Sequence, residues 1–184
     1  MPRRIFSAAL LLCICLSVIA CQRTLPPDTL VMIIESSPAN LDPRVGTDAQ
    51  SERIYKLLFD SLVKRNDDFT LKPWLAERWE TPDALTYVFH LRRDVRFHNG
   101  AALTSRDVKW TFDSILNGSV ISAKASTFKF VKVIEAPDPW TVIFRMKEPF
   151  ATLLWNVSDG AIAIVPYGSD KDFNRAIVGS GPFK

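Results

Sequence analysis

Few side chains in this sequence have the types and spacing that enzyme chemistry requires. The two histidines, His90 and His98, fall on a predicted strand and beside a predicted turn, and with no acidic cluster nearby they make a poor metal site. Asp107 and Asp113 are six residues apart, a spacing that does not bring them together on one helix face. The sequence has no G-x-S-x-G nucleophile motif and no glycine-rich phosphate loop. It therefore predicts a protein that is not an enzyme and has neither a cofactor nor a metal site.

The cysteine with a predicted chemical role is Cys21. A basic pair, Arg3 and Arg4, precedes the apolar run Ala8–Ile19, which is too short to span a membrane and is typical of a secretory signal. The run ends in Val-Ile-Ala-Cys, the pattern of a bacterial lipoprotein in which Cys21 is the first mature residue. Its thioether-linked diacylglycerol would anchor the chain to a membrane. The alternative is an ordinary secretory signal, and Gln22 leaves the inner and the outer membrane both open.

Removal of a leader over residues 1–20 changes what the composition implies. All three cysteines, Cys13, Cys15 and Cys21, lie in the leader or at its edge, so the mature chain is predicted to have no disulfide. Without Arg3 and Arg4 the 23 basic residues become 21 against 20 acidic ones, and a net charge of +1 does not indicate nucleic acid as a partner. About 160 residues remain, enough to bury a core.

The clearest structural pattern runs from residue 85 to residue 118. Apolar side chains at every second position of Leu85–Leu91 predict a half-buried strand. Asn99-Gly100 supplies a turn, and Thr104 precedes Asp107 at the spacing of a helix capping box. The helix that follows should end at Asn117-Gly118 and bury one stripe, which consists of Val108, Phe112, Ile115 and Leu116.

The same region carries a family resemblance. Leu91–Gly100, followed by Leu103–Val108, resembles the signature of the extracytoplasmic solute-binding proteins of family 5, the peptide- and nickel-type binding components of ABC importers. Asn99 stands where aspartate is common, and Arg106 stands where an acidic residue is common. Neither change disturbs the predicted turn or the helix cap.

Two further segments extend the resemblance over most of the chain. Pro73–Glu80 is similar to the family's P-x-L-A-E-x-W segment, with Pro73 suited to begin a helix, and Gly179–Lys184 is similar to its GTGPY motif. The resemblance implies a mixed α/β (α+β) fold like that of the type II periplasmic binding proteins. The chain would form the first lobe with an inserted subdomain. The second lobe would be missing, which implies a fragment or a truncated gene.

The resemblance also implies a division of the chain. In order, the parts are a lipoprotein signal peptide, a tether, the start of the first lobe, a small inserted subdomain and a return crossover to the first lobe: residues 1–20, 21–29, 30–62, 63–178 and 179–184. Gly179, Gly181 and Pro182 would form the crossover or hinge, because two glycines and a proline suit a sharp chain reversal.

Other elements follow from their own patterns. The apolar run Leu30–Ile34 predicts a strand that is buried on both faces. Thr47 and Gln50 predict a capped helix that continues to Leu62 and buries Ile54, Leu57, Leu58 and Leu62. Three segments predict further strands, the first two as a hairpin around a proline-rich turn: residues 128–135, 140–147 and 161–166.

The loop after the first predicted strand holds the candidate ligand-binding residues. It is similar to the family's loop before a Leu-Asp-Pro motif, and a loop that leaves a buried strand often borders a ligand crevice. Ser36, Ser37 and Asn40 are therefore candidates for hydrogen bonds to a ligand. The alternative is that they bond only their own turn, which is the role expected of Asp42.

The function implied by the resemblance is that of a substrate-binding component of an ABC importer. It would capture an oligopeptide or a similar small solute outside the cytoplasmic membrane and deliver it to a permease and ATPase complex. The expected location is the periplasm or cell envelope, with the membrane as a partner through the lipid at Cys21. Nickel complexes and sugars are alternative ligands, and a structural or signalling lipoprotein with the same fold is the alternative function.

Overall fold

The computed structural model describes residues 26–158, 162–170, 173 and 176–184. The predicted leader and Cys21 lie outside these residues. Residues 1–35 and residues 36–184 form two units, and the described helices and strands belong to the second. The helices are α1 (Ala49–Leu58), α2 (Ser105–Leu116) and the single turn α3 (Leu153–Asn156), and a 3-10 helix spans Ala123–Phe128. None of the described helices is long and apolar enough to cross a membrane.

The described strands form two antiparallel sheets. Strands β1 (Val63–Arg65) and β2 (Leu71–Pro73) pair with each other. The larger sheet has the order β3-β4-β6-β5, and its strands are β3 (Ala76–Asp83), β4 (Thr86–Leu91), β5 (Val131–Asp138) and β6 (Thr141–Met146). The predicted hairpin is confirmed as β5 and β6, but its turn is shorter than predicted, because β5 begins at Val131 and continues through Asp138, which pairs with Thr141.

Strand β4 lies inside the larger sheet, between β3 and β6, and it confirms the predicted alternation from Tyr87 to Leu91 but not at Leu85. Tyr87, Phe89 and Leu91 are buried. Leu85 precedes the strand and is exposed. Phe89 meets Phe144 of β6 edge to face at 5.5 Å between ring centroids.

Helix α2 packs its buried face against this sheet. Its predicted capping box is confirmed, because the Thr104 N–H donates to Asp107 Oδ2 at 2.8 Å. Gly118 follows the helix with a φ of +78°, the left-handed conformation that glycine adopts at low cost. Three of the four predicted core residues are buried, whereas Leu116 is 36 % exposed. The prediction is wrong for Leu116 because the buried face is rotated toward Thr111 and Ser114, which leaves Leu116 beyond its edge.

The predicted strand at Leu30–Ile34 is wrong. Residues 30–34 form neither helix nor strand, and Val31 and Ile33 are 60 % and 96 % exposed. An apolar run becomes a strand only where a neighbouring strand completes its backbone hydrogen bonds. Within the described part of the chain, neither sheet includes these residues.

Helix α1 is shorter than predicted and begins at a different cap. Asp48 caps it in place of Thr47, because its Oδ1 accepts a hydrogen bond from the Ser51 N–H at 2.9 Å. The helix ends at Leu58, so the buried Leu62 lies beyond it, and the other three residues of the predicted stripe are only half-buried: Ile54, Leu57 and Leu58. Its buried face instead carries Tyr55.

Two other predicted elements take different forms. The expected helix at Pro73 is wrong, because the backbone there pairs as β2 and β3 with the neighbouring strands β1 and β4. The described residues of the strand predicted over 161–166 are in neither sheet. Residues 162–165 are buried, but the Ile164 N–H donates to the Asp60 carbonyl at 2.8 Å and the Val165 N–H donates to Thr111 Oγ1 at 3.1 Å. Their hydrogen bonds go to a loop and a helix side chain, and no sheet forms there.

The described residues pack into two hydrophobic clusters. The larger lies among the sheet, α2 and α3 and contains most of the buried aromatic residues. The smaller brings Tyr55 and Phe59 together with Val165 and Phe173. It thereby joins α1 to a segment that lies more than a hundred residues further along the chain.

Candidate functional site

The predicted ligand loop contains two successive side-chain turns. Asn40 Oδ1 accepts a hydrogen bond from the Asp42 N–H at 2.8 Å, and Asp42 Oδ1 accepts one from the Arg44 N–H at 2.9 Å. Asp42 therefore has the local role that its sequence context predicts. Ser36 and Ser37 are exposed, and Asn40 is half-buried. The structure leaves both serine hydroxyls at the surface and uses the Asn40 side-chain carbonyl inside the loop.

Arg44 fastens this loop to the rest of the fold. Its guanidinium is fully buried and pairs with Asp42, with 2.7 Å between Nη2 and Oδ2. It also donates to Ser114 Oγ at 3.2 Å and to the carbonyl oxygens of Ser169 and Asp170 at 3.0 and 2.9 Å. The loop is thus tied both to α2 and to a distant turn, and its backbone is held in one shape.

A lysine and a tyrosine support the loop from another side. Lys124 Nζ donates to the Pro43 carbonyl at 2.7 Å, and the Tyr55 hydroxyl donates to the Gly46 carbonyl at 3.0 Å. Burial lowers the pKa of Lys124 to about 8 and raises the pKa of Tyr55 to about 12. Both groups act here as donors to backbone carbonyls, a role that keeps them in the interior.

The N-terminal end of α1 holds the start of the same loop. The Asn40 N–H donates to Ser51 Oγ at 3.1 Å, and the Ala39 N–H donates to Asp48 Oδ2 at 3.3 Å. Hydrogen bonds from the side chain and backbone of Ser51 lower the pKa of the Asp48 carboxyl, so the cap stays ionised at neutral pH. The position of residues 39–40 is therefore set by the first turn of this helix.

The predicted crossover lies against the opposite end of α1. The Gly181 N–H donates to the Leu58 carbonyl at 2.9 Å, and the Phe183 N–H donates to the Leu57 carbonyl at 3.2 Å. A Cβ atom at Gly179 would stand 1.7 Å from the Leu58 carbonyl oxygen, so this position accepts only glycine without a backbone shift. Pro182, the third predicted crossover residue, is exposed.

A cavity of about 680 Å³ opens beside the predicted crossover. Its polar centre is Asp60, which accepts a hydrogen bond from Trp74 Nε1 at 2.7 Å on one carboxylate oxygen and from Ser180 Oγ at 2.8 Å on the other. The remaining lining includes Lys64, whose ammonium lies 4.0 Å from the Trp74 ring centroid, and Arg92. The side chains of the predicted ligand loop do not line it. Nothing in the sequence marks Asp60, because it is a lone aspartate within a segment that the pattern predicts to be helical.

The two histidines have separate partners. His90 Nε2 lies 3.2 Å from Glu80 Oε1 on the surface of the larger sheet, whereas His98 Nε2 lies 2.8 Å from the Gly181 carbonyl oxygen in the predicted crossover. Among the described residues, no three His, Cys, Asp or Glu side chains come together in a way that could hold a metal ion.

Comparison with known families identifies the chain. Residues 70–184 match the model of the bacterial extracellular solute-binding proteins, family 5 (middle region). The chain belongs to family 5. Among curated family relatives, it is 30 % identical over 175 residues to the glutathione-binding protein GsiB of Salmonella choleraesuis, an alignment that covers 91 % of this chain and 34 % of GsiB. GsiB of Pectobacterium atrosepticum is 29 % identical over 161 residues, with 84 % of this chain and 31 % of that protein covered. The chain thus spans about a third of the length of these relatives.

Solved structures of similar proteins share the fold. The oligopeptide-binding protein AppA of Bacillus subtilis, in complex with a nonapeptide, superposes with a TM-score of 0.74 at 29 % identity over 80 % of this chain and 31 % of AppA. NikZ of Campylobacter jejuni, in complex with Ni(L-His), superposes with a TM-score of 0.75 at 28 % identity over 87 % of this chain and 33 % of NikZ. The mixed α/β fold of a family 5 binding protein, seen here over part of its length, is therefore established.

Proposed function

We propose that this chain is part of a substrate-binding component of an ABC importer, which captures an oligopeptide or a similar small solute outside the cytoplasmic membrane. The match of residues 70–184 to family 5 is the observation that carries the proposal. Peptide-like ligands are favoured because the relatives include a glutathione-binding protein and an oligopeptide-binding protein in complex with a nonapeptide. The protein would act by binding alone, without catalysis, and would pass its solute to a permease and ATPase complex.

The part of the solute site that this chain would supply is the loop with Ser36, Ser37 and Asn40. The support is physical: the serine hydroxyls are exposed, and the backbone that follows them is held at Ala39 by Asp48 and at Asn40 by Ser51. A loop fixed before the ligand arrives loses little conformational entropy on binding. In the same proposal Gly179, Gly181 and Pro182 serve the crossover between the lobes and make no contact with the solute.

Calorimetric titration of the full-length protein tests both parts of this proposal. We expect heat of binding with short peptides. We expect the triple variant Ser36→Ala/Ser37→Ala/Asn40→Ala to bind at least about tenfold more weakly, because each lost hydrogen bond contributes about 0.5–1.5 kcal/mol and Asn40→Ala also removes the acceptor that shapes the turn at Asp42. Thr127→Ala, an exposed change in the 3-10 helix, is the matched control. Tight binding of a nickel complex or a sugar, with no response to any peptide, would overturn the proposed substrate class. Unchanged affinity in the triple variant would overturn the assignment of the loop.

We also propose that the chain is exported and lipidated at Cys21, which would keep the binding protein near its transporter. The support is the basic pair, the short apolar run and the Val-Ile-Ala-Cys sequence around the expected cleavage site between Ala20 and Cys21. The intact mass of the purified mature protein should show the loss of residues 1–20 and the addition of lipid. An uncleaved Met1 species, or membrane retention that persists in Cys21→Ser, would contradict this proposal.

A further inference from the structure

His98 bonds to the crossover through its backbone and through both ring nitrogens. Its N–H donates to the Gly179 carbonyl at 2.7 Å, and its Nε2 lies 2.8 Å from the Gly181 carbonyl. The Gly179 N–H in turn donates to His98 Nδ1 at 3.3 Å. A backbone carbonyl only accepts and a backbone N–H only donates, so these partners require a neutral imidazole with its proton on Nε2.

The other side of the crossover is closed by the end of α1. Leu57 and Leu58 have carbonyls that are left without intrahelical partners at the end of the helix, and Phe183 and Gly181 supply the donors. A Cβ atom at Gly181 would stand 2.5 Å from the Leu57 carbonyl oxygen. The crossover therefore lies between a helix end and one imidazole ring, with both of its glycines in positions where a side chain would collide.

Helix α1 connects this arrangement to the proposed solute loop. Its first turn, through Asp48 and Ser51, holds residues 39–40, and its last turn holds Gly181 and Phe183. A shift of Gly181 and Phe183 along the end of α1 would therefore act on the same helix that positions residues 39–40 of the loop. Ser180 lies in sequence between Gly179 and Gly181, the two glycines that His98 contacts. Its hydroxyl donates to Asp60 in the cavity.

We propose that His98 is a positioning residue that holds the crossover in one register on the end of α1 and so fixes the solute loop relative to the crossover. The part of this inference that concerns solute rests on the proposed function. The hydrogen-bonding role itself does not. It requires one tautomer of one side chain, and it distinguishes His98 from His90, whose ring lies near a surface glutamate.

Amide hydrogen exchange, measured on the protein without any ligand, tests the inference. His98→Ala and His98→Gln remove the acceptor for the Gly179 N–H, and we expect that amide to exchange at least tenfold faster in both variants. His98→Asn places a carbonyl oxygen near the position of Nδ1, and we expect it to retain most of the protection. A side chain that only filled space would give the opposite order, because glutamine is closer to histidine in size. His90→Ala is the matched control and should leave Gly179 unchanged.

A second measurement on the unmodified protein holds even if a variant fails to fold. Nitrogen-15 spectra of the imidazole should show His98 with its proton on Nε2 and a bare Nδ1. A proton on Nδ1, or exchange at Gly179 that is the same in His98→Gln and the parent chain, would overturn the inference. Because neither readout uses a solute, failure here is distinct from failure of the proposed function, which the calorimetric titration tests separately.

Discussion

Arg44→Met should lower the free energy of unfolding by about 3–5 kcal/mol, the usual cost of removing one partner from a buried ion pair. Arg44 is 0 % exposed, and its loss would leave the Asp42 carboxylate buried without its charge partner. It would also leave the Ser169 and Asp170 carbonyls without this donor. Urea unfolding followed by circular dichroism measures the change.

Arg53→Met is the control for this result, because Arg53 is exposed on α1, and its effect should stay within about 0.5 kcal/mol. The double variant Asp42→Asn/Arg44→Met should recover part of the loss, since it removes the buried charge together with its partner. A loss below about 1 kcal/mol in Arg44→Met would show that the pair contributes no more than a surface contact.

Phe112→Ala should cost about 3–5 kcal/mol of stability, the range for a buried aromatic side chain that is cut back to alanine. Phe112 is 0 % exposed and meets two aromatic rings edge to face, Phe128 at 5.1 Å and Phe144 at 5.0 Å between centroids. The cavity left behind would be bordered by these rings, which are held by the sheet and the 3-10 helix and have little room to close it. Chemical denaturation gives the difference directly.

Leu116→Ala, on the same helix, should cost less than about 1 kcal/mol, because its side chain lies at the edge of the buried face. The pair of variants thus compares two apolar positions that the sequence pattern treats as equal. Similar losses at both positions would mean that Leu116 is buried like Phe112 and that the helix is rotated toward it.

Local patterns in the sequence predicted the centre of this fold well. Strand β4, the turn at Gly100 and the capped helix α2 lie where the sequence places them. In each case the signal and the structure depend on the same nearby residues: alternating side chains on a paired strand, a glycine at a positive φ, and a carboxylate three residues into a helix. The family resemblance rested on this region too, and the family match confirms it.

Elements that depend on distant partners were predicted less well. Leu30–Ile34 reads as a strand, but neither described sheet includes these residues. Pro73 suits the start of a helix, yet the backbone around it pairs with the neighbouring strands β1 and β4. In both segments the side chains favour a type of element, and the presence or absence of a hydrogen-bonding neighbour decides the outcome.

The sequence alone determined the family, the central strand and helix, and the local turn at Asp42. Only the tertiary structure showed that Arg44 is buried, that Asp60 joins Trp74 to Ser180, and that His98 bonds to Gly181. Apart from the pair of Arg44 with Asp42, these contacts join residues that lie between 14 and 126 positions apart. The reason is geometric. A buried charge or an unpaired carbonyl bonds to whichever partner the packing of distant segments brings within about 3 Å, and no local spacing in the sequence predicts that partner.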